Sequence, residues 1–379
     1  MTKPYPASGL VSSITELTDI EPTLPEVQNR GVDLAQFARL HQGRSVLITG
    51  AGGSIGSRLS HAVFSHHPRV LVCLDSSESG LHELSTSWIT AQRPVEVLGN
   101  VCDSALLEEI FRNHRPEIIY HAAAFKHLAI GENNPFEIMR NNVLGTHCVA
   151  QAAMRHGAER VITISTDKAV DPTSILGASK RIAELLMLAF TSSQPRMKAI
   201  RLGNIWASRG SVVPLFLQQI SAGGPLTVTD PAVQRYFMSM FSALGVIFSA
   251  AAETDGCIFV PELEQQIAVV RVAQSLIQHK GVALDAIPIV FTGLRPGEKL
   301  EERLVSKREA RYAINDILAG VTDSTVSAPE VIGIMETLRE VLQRRSLPDL
   351  LNVVLALVPE YRPSEALTGR EVCCGTACR

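Results

Sequence analysis

The sequence predicts an α/β protein: a doubly wound parallel sheet with a smaller carboxyl-terminal lobe. Three observations carry the prediction. Between residues 45 and 204, short β-branched runs alternate with longer helical stretches, the pattern of parallel strands joined by crossover helices. A glycine-rich turn lies between the first such run and the first helix. From about 205 the alternation weakens, and Gly, Pro and loop signals interrupt the remaining helices, which places a less regular lobe at the carboxyl edge of the sheet.

The elements follow in order. Residues 1–40 are rich in Pro, Thr and Ser and read as an amino-terminal arm ending in a short helix, Asp33–Leu40. Ser45–Thr49 is the first strand. Val70–Leu74, Val95–Leu98, Ile118–Tyr120, Val161–Ile164 and Lys198–Leu202 are the next strand candidates, with helices at Ser57–Ser65, Ser104–Arg112 and Val143–His156 between them. Residues 41–204 are therefore expected to form a dinucleotide-binding domain to which later segments return. Residues 205–365 should be mainly a substrate-binding lobe with helices at Ile267–Gln278 and Ala328–Arg344, and 366–379 a flexible tail.

Composition narrows the class. Of 379 residues, 46% are hydrophobic and 19% charged, and the formal net charge is −3, which argues against a nucleic-acid binder. Met1–Glu21 lacks the basic-then-apolar order of a secretory signal. No apolar run reaches the roughly 18 residues of a membrane span; the best, Phe241–Ala252, reads as a buried helix. A soluble, cytoplasmic protein without a membrane span is expected. Cys73, Cys102, Cys148 and Cys257 sit in apolar segments and read as reduced buried thiols. Cys373, Cys374 and Cys378 fall in the tail and read as part of a frayed terminus, so no metal site is expected.

The turn after the first strand, Thr49-Gly-Ala-Gly-Gly-Ser-Ile-Gly56, has glycines at 50, 53 and 56. Strand, turn and helix come in the order of a Rossmann dinucleotide site, where glycines allow close approach of a pyrophosphate and the helix amino end offers free N–H groups. Gly50, Gly53, Ser54, Ile55 and Gly56 are the candidate pyrophosphate cradle. Asp75 closes the second strand, 19 residues after Gly56, where a carboxylate accepts from the adenosine ribose diol. It would repel a 2′-phosphate, and Ser76 supplies no compensating cation, so NAD is favoured over NADP. Asn100 and Val101 are placed near the adenine, and the small residues Ala122, Ala123 and Ala124 let the dinucleotide lie along the strand ends.

Further motifs carry a family resemblance: His121-Ala-Ala-Ala-Phe-Lys-His127, Ser165-Thr-Asp-Lys-Ala-Val-Asp-Pro172, Gly177-Ala-Ser-Lys180, Arg201-Leu-Gly-Asn204, Gly293-Leu-Arg-Pro-Gly-Glu-Lys-Leu300 and Val358-Pro-Glu-Tyr-Arg-Pro363. With these, the chain from about Arg30 to Ser364 resembles the extended short-chain dehydrogenases/reductases. Within them it looks like the polysaccharide-biosynthesis branch that holds UDP-N-acetylglucosamine 4,6-dehydratases. Many members carry an amino-terminal membrane domain, and this chain resembles their soluble catalytic half. Members commonly assemble into homo-oligomers.

The resemblance implies oxidation at C4 of a nucleotide-linked hexose, elimination of water across C5 and C6, and reduction at C6. The family's Thr-Asp-Lys motif falls on Thr166, Asp167 and Lys168. Elimination needs an acid and a base side by side, and an adjacent carboxyl and amine meet that need. Lys180 matches the lysine of the family's Tyr-x-x-x-Lys pair, which holds the nicotinamide ribose. The tyrosine position is Leu176 here, which cannot carry a proton. Thr166 through a water, Lys168, or the substrate's own surroundings then stand as acceptors of the C4 hydroxyl proton.

On the substrate side the resemblance places Asn204 near the phosphates, Arg235 and Arg295 on the diphosphate, Glu298 at a ribose hydroxyl, Thr227 at the nucleobase and Lys126 beside the sugar. A guanidinium suits a diphosphate because its planar fork meets two oxygens at once. Asn142, in Arg140-Asn-Asn142, is expected to order the active-site helix. The leading expectation is a 4,6-dehydratase of a UDP-linked N-acetylhexosamine. An epimerase, which conserves mass, and a dinucleotide-binding protein of altered chemistry are the alternatives.

Overall fold

A computed structural model describes Leu24 and residues 33–89, 93–190, 194–255, 258–322 and 328–369. Most of the expected arm, together with Cys257, Cys373, Cys374 and Cys378, lies outside the described residues.

Among the described residues, nine strands form one central sheet. They are β1 (Ser45–Thr49), β2 (Val70–Asp75), β3 (Val95–Leu98), β4 (Ile118–His121), β5 (Arg160–Thr166), β6 (Arg196–Leu202), β7 (Ile258–Pro261), β8 (Ala310–Asn315) and β9 (Leu318–Thr322). Their spatial order is β8-β9-β7-β6-β5-β4-β1-β2-β3. From β3 to β7 every pairing is parallel; the β8–β9 hairpin closes the far edge antiparallel. The order reverses between β1 and β4, and in such sheets the crevice at the carboxyl ends of the strands at that point receives the ligand.

Alternation along each strand explains the two layers. Leu47, Val72, Leu74, Ile119 and Val161 point into one apolar cluster, and Val46, Ile48, Leu71, Cys73, Tyr120 and Ile162 into the other. The first cluster is covered by the helices Ser104–His114, Gly145–Arg155 and Ile175–Ala189, and the second by Ser54–Ser65 and Met240–Ala252. Over the central strands both sheet faces are buried, so these strands read as continuous apolar runs, whereas the edge strands β3 and β8 are partly or largely exposed.

Several elements differ from expectation. The first helix reaches back to Ser54, because the glycine turn ends directly in its cap, Gly53. Helix Val143–His156 is the last part of a longer unit: Pro135–Met139 continues through a π-turn at Arg140–Leu144 into Gly145–Arg155. The helices Ala328–Arg344 and Leu347–Leu357 pack on the main sheet rather than in the lobe, since Val331, Met335, Leu338, Leu350 and Val354 join the first cluster. At the junction of the expected lobe and tail, Glu365–Thr368 is a short helix with Leu367 buried in that cluster; residues 370–379 lie outside the described residues.

A separate apolar cluster builds the lobe from Val213, Phe216, Leu226, Val228, Ile267, Val272, Leu276 and Ile287. It stands over the carboxyl ends of the strands through short pairings. Asn204–Ile205 runs parallel to Phe237–Met238, and Ile267–Ala268 antiparallel to Gln234–Arg235. These pairings carry residues 204 and 235 to the crevice.

Candidate active site

The crevice begins at the glycine turn. Gly50 has φ +69°, and a Cβ there would lie 2.6 Å from the Ala123 nitrogen; one on Gly56 would lie 2.0 Å from the Gly50 oxygen. Only glycine fits either place. Gly53 caps the helix Ser54–Ser65 without a side chain to accept from its first-turn amides. Those amides and the positive end of the helix are thus left for an anion. The Gly52 amide donates to Asp75 Oδ2 at 2.8 Å and the Ser77 amide to Asp75 Oδ1 at 2.8 Å, so this carboxylate fixes the turn and retains lone pairs for a ligand. Ser76 is exposed. Asn100 Oδ1 accepts from the Cys102 amide at 2.8 Å, and Val101 is buried against Gly145. Ala122–Ala124 are half-buried at the end of β4. The cradle, the uncapped helix and the Asp75 carboxylate fit a dinucleotide.

Beside it, β5 ends in Thr166, and Asp167–Ala169 turns as one short 3₁₀ coil. Asp167 is fully buried. Its Oδ1 accepts from Thr166 Oγ1 at 2.8 Å and from Lys168 Nζ at 3.0 Å. Its Oδ2 is buried with no hydrogen-bond partner. Lys168 Nζ also donates to Asn204 Oδ1 at 3.2 Å and lies 3.9 Å from Glu302 Oε1. Burial alone would lower this ammonium and Arg235 works the same way, but Asp167 and Glu302 outweigh both and hold it above its ordinary range.

Lys180 lies on the buried helix Ile175–Ala189 and donates to the Ile164 carbonyl at 2.9 Å. Burial pushes its ammonium down to about 8, with Glu184 opposing. Glu184 is itself clamped: Arg201 Nε and Nη2 donate to it at 2.9 and 2.7 Å, and Ser165 Oγ at 2.7 Å. Leu176, one turn before Lys180, is 3% exposed. Asn142 ties the π-turn to the site. Its Oδ1 accepts from the Phe125 amide at 2.9 Å, and its Nδ2 donates to Ser179 Oγ at 3.0 Å. π-turns recur at functional sites because they turn side chains off the regular helical register.

On the lobe side, Arg235 is buried. Its Nη2 donates to Glu298 Oε1 at 3.2 Å and its Nη1 to the Leu300 carbonyl at 3.1 Å. Arg295 is exposed on the same loop, its amide donating to Glu298 Oε2 at 3.1 Å. Thr227 Oγ1 accepts from Gln219 Nε2 at 2.8 Å. Lys126 is exposed and donates to the Arg209 carbonyl at 2.6 Å.

A sequence profile described as "Polysaccharide biosynthesis protein" matches residues 46–319. The chain belongs to this polysaccharide-biosynthesis family. One similar member is the capsular polysaccharide biosynthesis protein CapD of Staphylococcus aureus, 39% identical over 285 residues, which are 73% of this chain and 48% of CapD. The chain thus spans about half the length of such relatives. A UDP-N-acetylglucosamine 4,6-dehydratase (inverting) of Campylobacter jejuni is 29% identical over 281 residues, covering 72% of this chain and 80% of that enzyme. The fold is that of Pen from Bacillus thuringiensis, with TM-score 0.68 and 24% identity over 79% of this chain and 98% of Pen.

For this family member, the structure brings Thr166, Asp167, Lys168 and Asn204 into one hydrogen-bonded set, with Arg235 and Glu298 paired on the lobe side. Lys126 is turned toward the strap 207–211. Three residues escaped the sequence reading. Glu302 lies beneath Lys168, Gln219 brackets Thr227, and Arg209 reaches from the lobe to the glycine turn. The Arg209 amide donates to Ser54 Oγ at 3.0 Å, its Nη1 to Glu83 at 2.8 Å and its Nη2 to the Gly52 carbonyl. For Glu302 the one sequence signal is the run of charges Glu298-Lys-Leu-Glu-Glu-Arg303. That run does not say which member is buried.

Proposed function

We propose that this chain is a nicotinamide-dependent nucleotide-sugar 4,6-dehydratase whose substrate is a UDP-linked N-acetylhexosamine. One observation carries the reading: a buried carboxylate with one unpartnered oxygen, Asp167, beside an ammonium held in its charged form, Lys168. Gly50, Gly53, Ser54, Ile55, Gly56, Asp75, Ser76, Asn100, Val101, Ala122–Ala124 and Lys180 would hold the dinucleotide. NAD is favoured over NADP because a carboxylate at the end of β2, Asp75, suits a ribose diol and would repel a 2′-phosphate. When bound, the dinucleotide supplies the two-electron oxidation at C4 that acidifies C5, and the matching reduction at C6.

The chain's own residues perform the elimination. Asp167 Oδ2 takes the C5 proton. Lys168 Nζ gives a proton to the C6 hydroxyl, the C6–O bond breaks, and water leaves as the C5–C6 double bond forms. Lys168 is fixed for this by Asn204 and by Asp167 Oδ1, which need not move. With leucine at 176, Thr166, whose hydroxyl donates to Asp167, accepts from a water that carries the C4 hydroxyl proton out to solvent, which leaves Asp167 ionised for the C5 proton. Arg235 and Arg295 meet the diphosphate, Glu298 a ribose hydroxyl, and Thr227 with Gln219 the nucleobase. The family resemblance to a named 4,6-dehydratase supports the same reading.

The test is incubation of the protein with UDP-, TDP- and GDP-hexoses in D₂O, read by mass spectrometry. A UDP-N-acetylhexosamine should lose about 18 Da as water and gain one deuterium, the mark of a mobilised C5 proton. Retained mass apart from deuterium would replace the dehydratase by an epimerase. In the variant Asp167→Asn, water loss should fall by at least ~100-fold while the dinucleotide still binds, because removing a general base costs about that much. Undiminished turnover would remove Asp167 from the chemistry.

A further inference from the structure

Beneath the reactive pair lies a carboxylate with no part in the elimination as written. Glu302 is 2% exposed. Its Oε1 stands 3.9 Å from Lys168 Nζ, and its Oε2 2.6 Å from Lys299 Nζ. The backbone is held as firmly, since the Glu302 amide donates to Gln266 Oε1 at 3.0 Å and its carbonyl accepts from Gln266 Nε2 at 3.0 Å. Lys299 is fixed in turn, donating to the Val170 carbonyl at 3.0 Å. Asp167, Lys168, Glu302 and Lys299 therefore form a chain of alternating charge that leads from the reactive centre into the loop carrying Arg295 and Glu298.

A buried carboxylate is costly unless cations compensate it, and a fold that kept Glu302 only for packing could place an apolar side chain there. We propose that Glu302 is a positioning residue for Lys168: braced by Lys299 and Gln266, its carboxylate holds the Lys168 side chain in place and keeps it charged. The inference rests on the role given to Lys168 in the proposed elimination. The groups facing Lys168 are Asp167 and Glu302, which favour its charge, Arg235, which opposes it, and the neutral Asn204. With Glu302 neutral, burial and Arg235 would be met by Asp167 alone. Lys168 would then lose its proton more readily and pass it on less effectively above neutral pH.

The test has two arms on the full chain. The first follows acylation of Lys168 by acetic anhydride from pH 6 to 11, with peptide mass spectrometry reporting the midpoint of its reactivity; this needs no turnover. In Glu302→Gln the midpoint should drop by about one pH unit or more, the usual effect of losing an opposite charge within about 4 Å. In Glu302→Asp it should stay near that of the parent. The second arm is the pH profile of water loss, whose alkaline limb should move down in Glu302→Gln and return in Glu302→Asp. An unmoved midpoint in folded Glu302→Gln overturns the proposal. If Glu302→Gln does not fold, Lys299→Gln tests the same link from the other side. Removing the competing cation should raise the Lys168 midpoint, and no rise overturns the proposal. If the parent eliminates no water from any sugar nucleotide, the dehydratase reading fails while the acylation arm still decides the role of Glu302.

Discussion

Asp167 meets its neighbours through one oxygen and leaves the other without a partner, and on the proposed chemistry that asymmetry assigns the C5 proton to Oδ2. Arg235 shows a different arrangement. Its guanidinium already spans Glu298 and two backbone carbonyls, Gln234 and Leu300, so the fork is set before any diphosphate arrives. Lysine has one ammonium and cannot reach the same partners together. In Arg235→Lys, KM for the sugar nucleotide should therefore rise roughly ten- to hundredfold, the worth of a charge-assisted hydrogen bond or two, with kcat changed far less. Steady-state kinetics checks this, and an equal fall in kcat would place Arg235 at the reacting carbons instead. At this scale the sequence was informative where a residue's role follows from its neighbours in the chain. Thr166-Asp167-Lys168 are contiguous, and their spacing past a strand end already brings acid and base together. Glu302 gave no such signal. Its meaning comes from Lys168, far away in sequence, and Glu301 beside it has the same chemistry.

Among the elements, the glycine turn and the strap 207–211 act on one another. The strap is bent at Ala207, φ +56°, and Gly210, φ +67°, where a Cβ would come 2.6 Å from the His127 ring. That bend delivers Arg209 to Gly52, Ser54 and Glu83. Arg209→Ala should leave the fold intact and weaken dinucleotide binding about tenfold, because the two side-chain hydrogen bonds to Gly52 and Glu83 are lost, each worth about 1 kcal/mol net and partly replaced by water, while the amide bond to Ser54 remains. Fluorescence titration with NAD and NADH measures it; unchanged affinity would leave the strap a simple surface loop. The turn itself was legible because three glycines between a strand and a helix have few other uses. The strap was not, because Trp206-Ala-Ser-Arg-Gly-Ser211 reads as an ordinary loop until the lobe is folded above the sheet. The π-turn at Arg140–Leu144 was also hidden: its residues fit a helical pattern, and only the bonds of Asn142 to Phe125 and Ser179 show why the register shifts.

For the whole molecule, acid tolerance is set by histidines buried neutral. His41 Nε2 pairs with the Tyr120 hydroxyl at 2.8 Å and its Nδ1 with His66 Nδ1 at 3.0 Å. Burial, with His66 adding to it, pushes His41 from 6.5 to about 3, and burial lowers His66 as well. A histidine whose folded value lies below its unfolded one contributes stability that is complete above about pH 6.5 and is lost as pH falls toward the folded value. Melting temperature should hold from pH 8 to 7 and decline from pH 6.5 downward. In His41→Gln the decline should be shallower, though His61, His121 and His147, all lowered by burial, preserve part of it. Thermal melts across this range check the slope, and parallel curves would assign acid sensitivity elsewhere. The alternation of strands and helices was enough to foresee the sheet. It could not foresee that residues 328–357 return to it, since an amphipathic helix fits lobe or sheet equally well until its apolar face finds Leu338 and Val354 a place.

The strap has one more consequence. On the proposed chemistry the electrons taken from the sugar are given back to the same sugar, so the dinucleotide ends each round as it began and needs no exchange partner. Arg209 and Lys126 join the two halves of the molecule across the cradle's mouth. An enzyme that must swap a spent coenzyme every round needs that mouth open. Here the coenzyme can be a lodger for the protein's lifetime, and the traffic through the crevice is sugar alone.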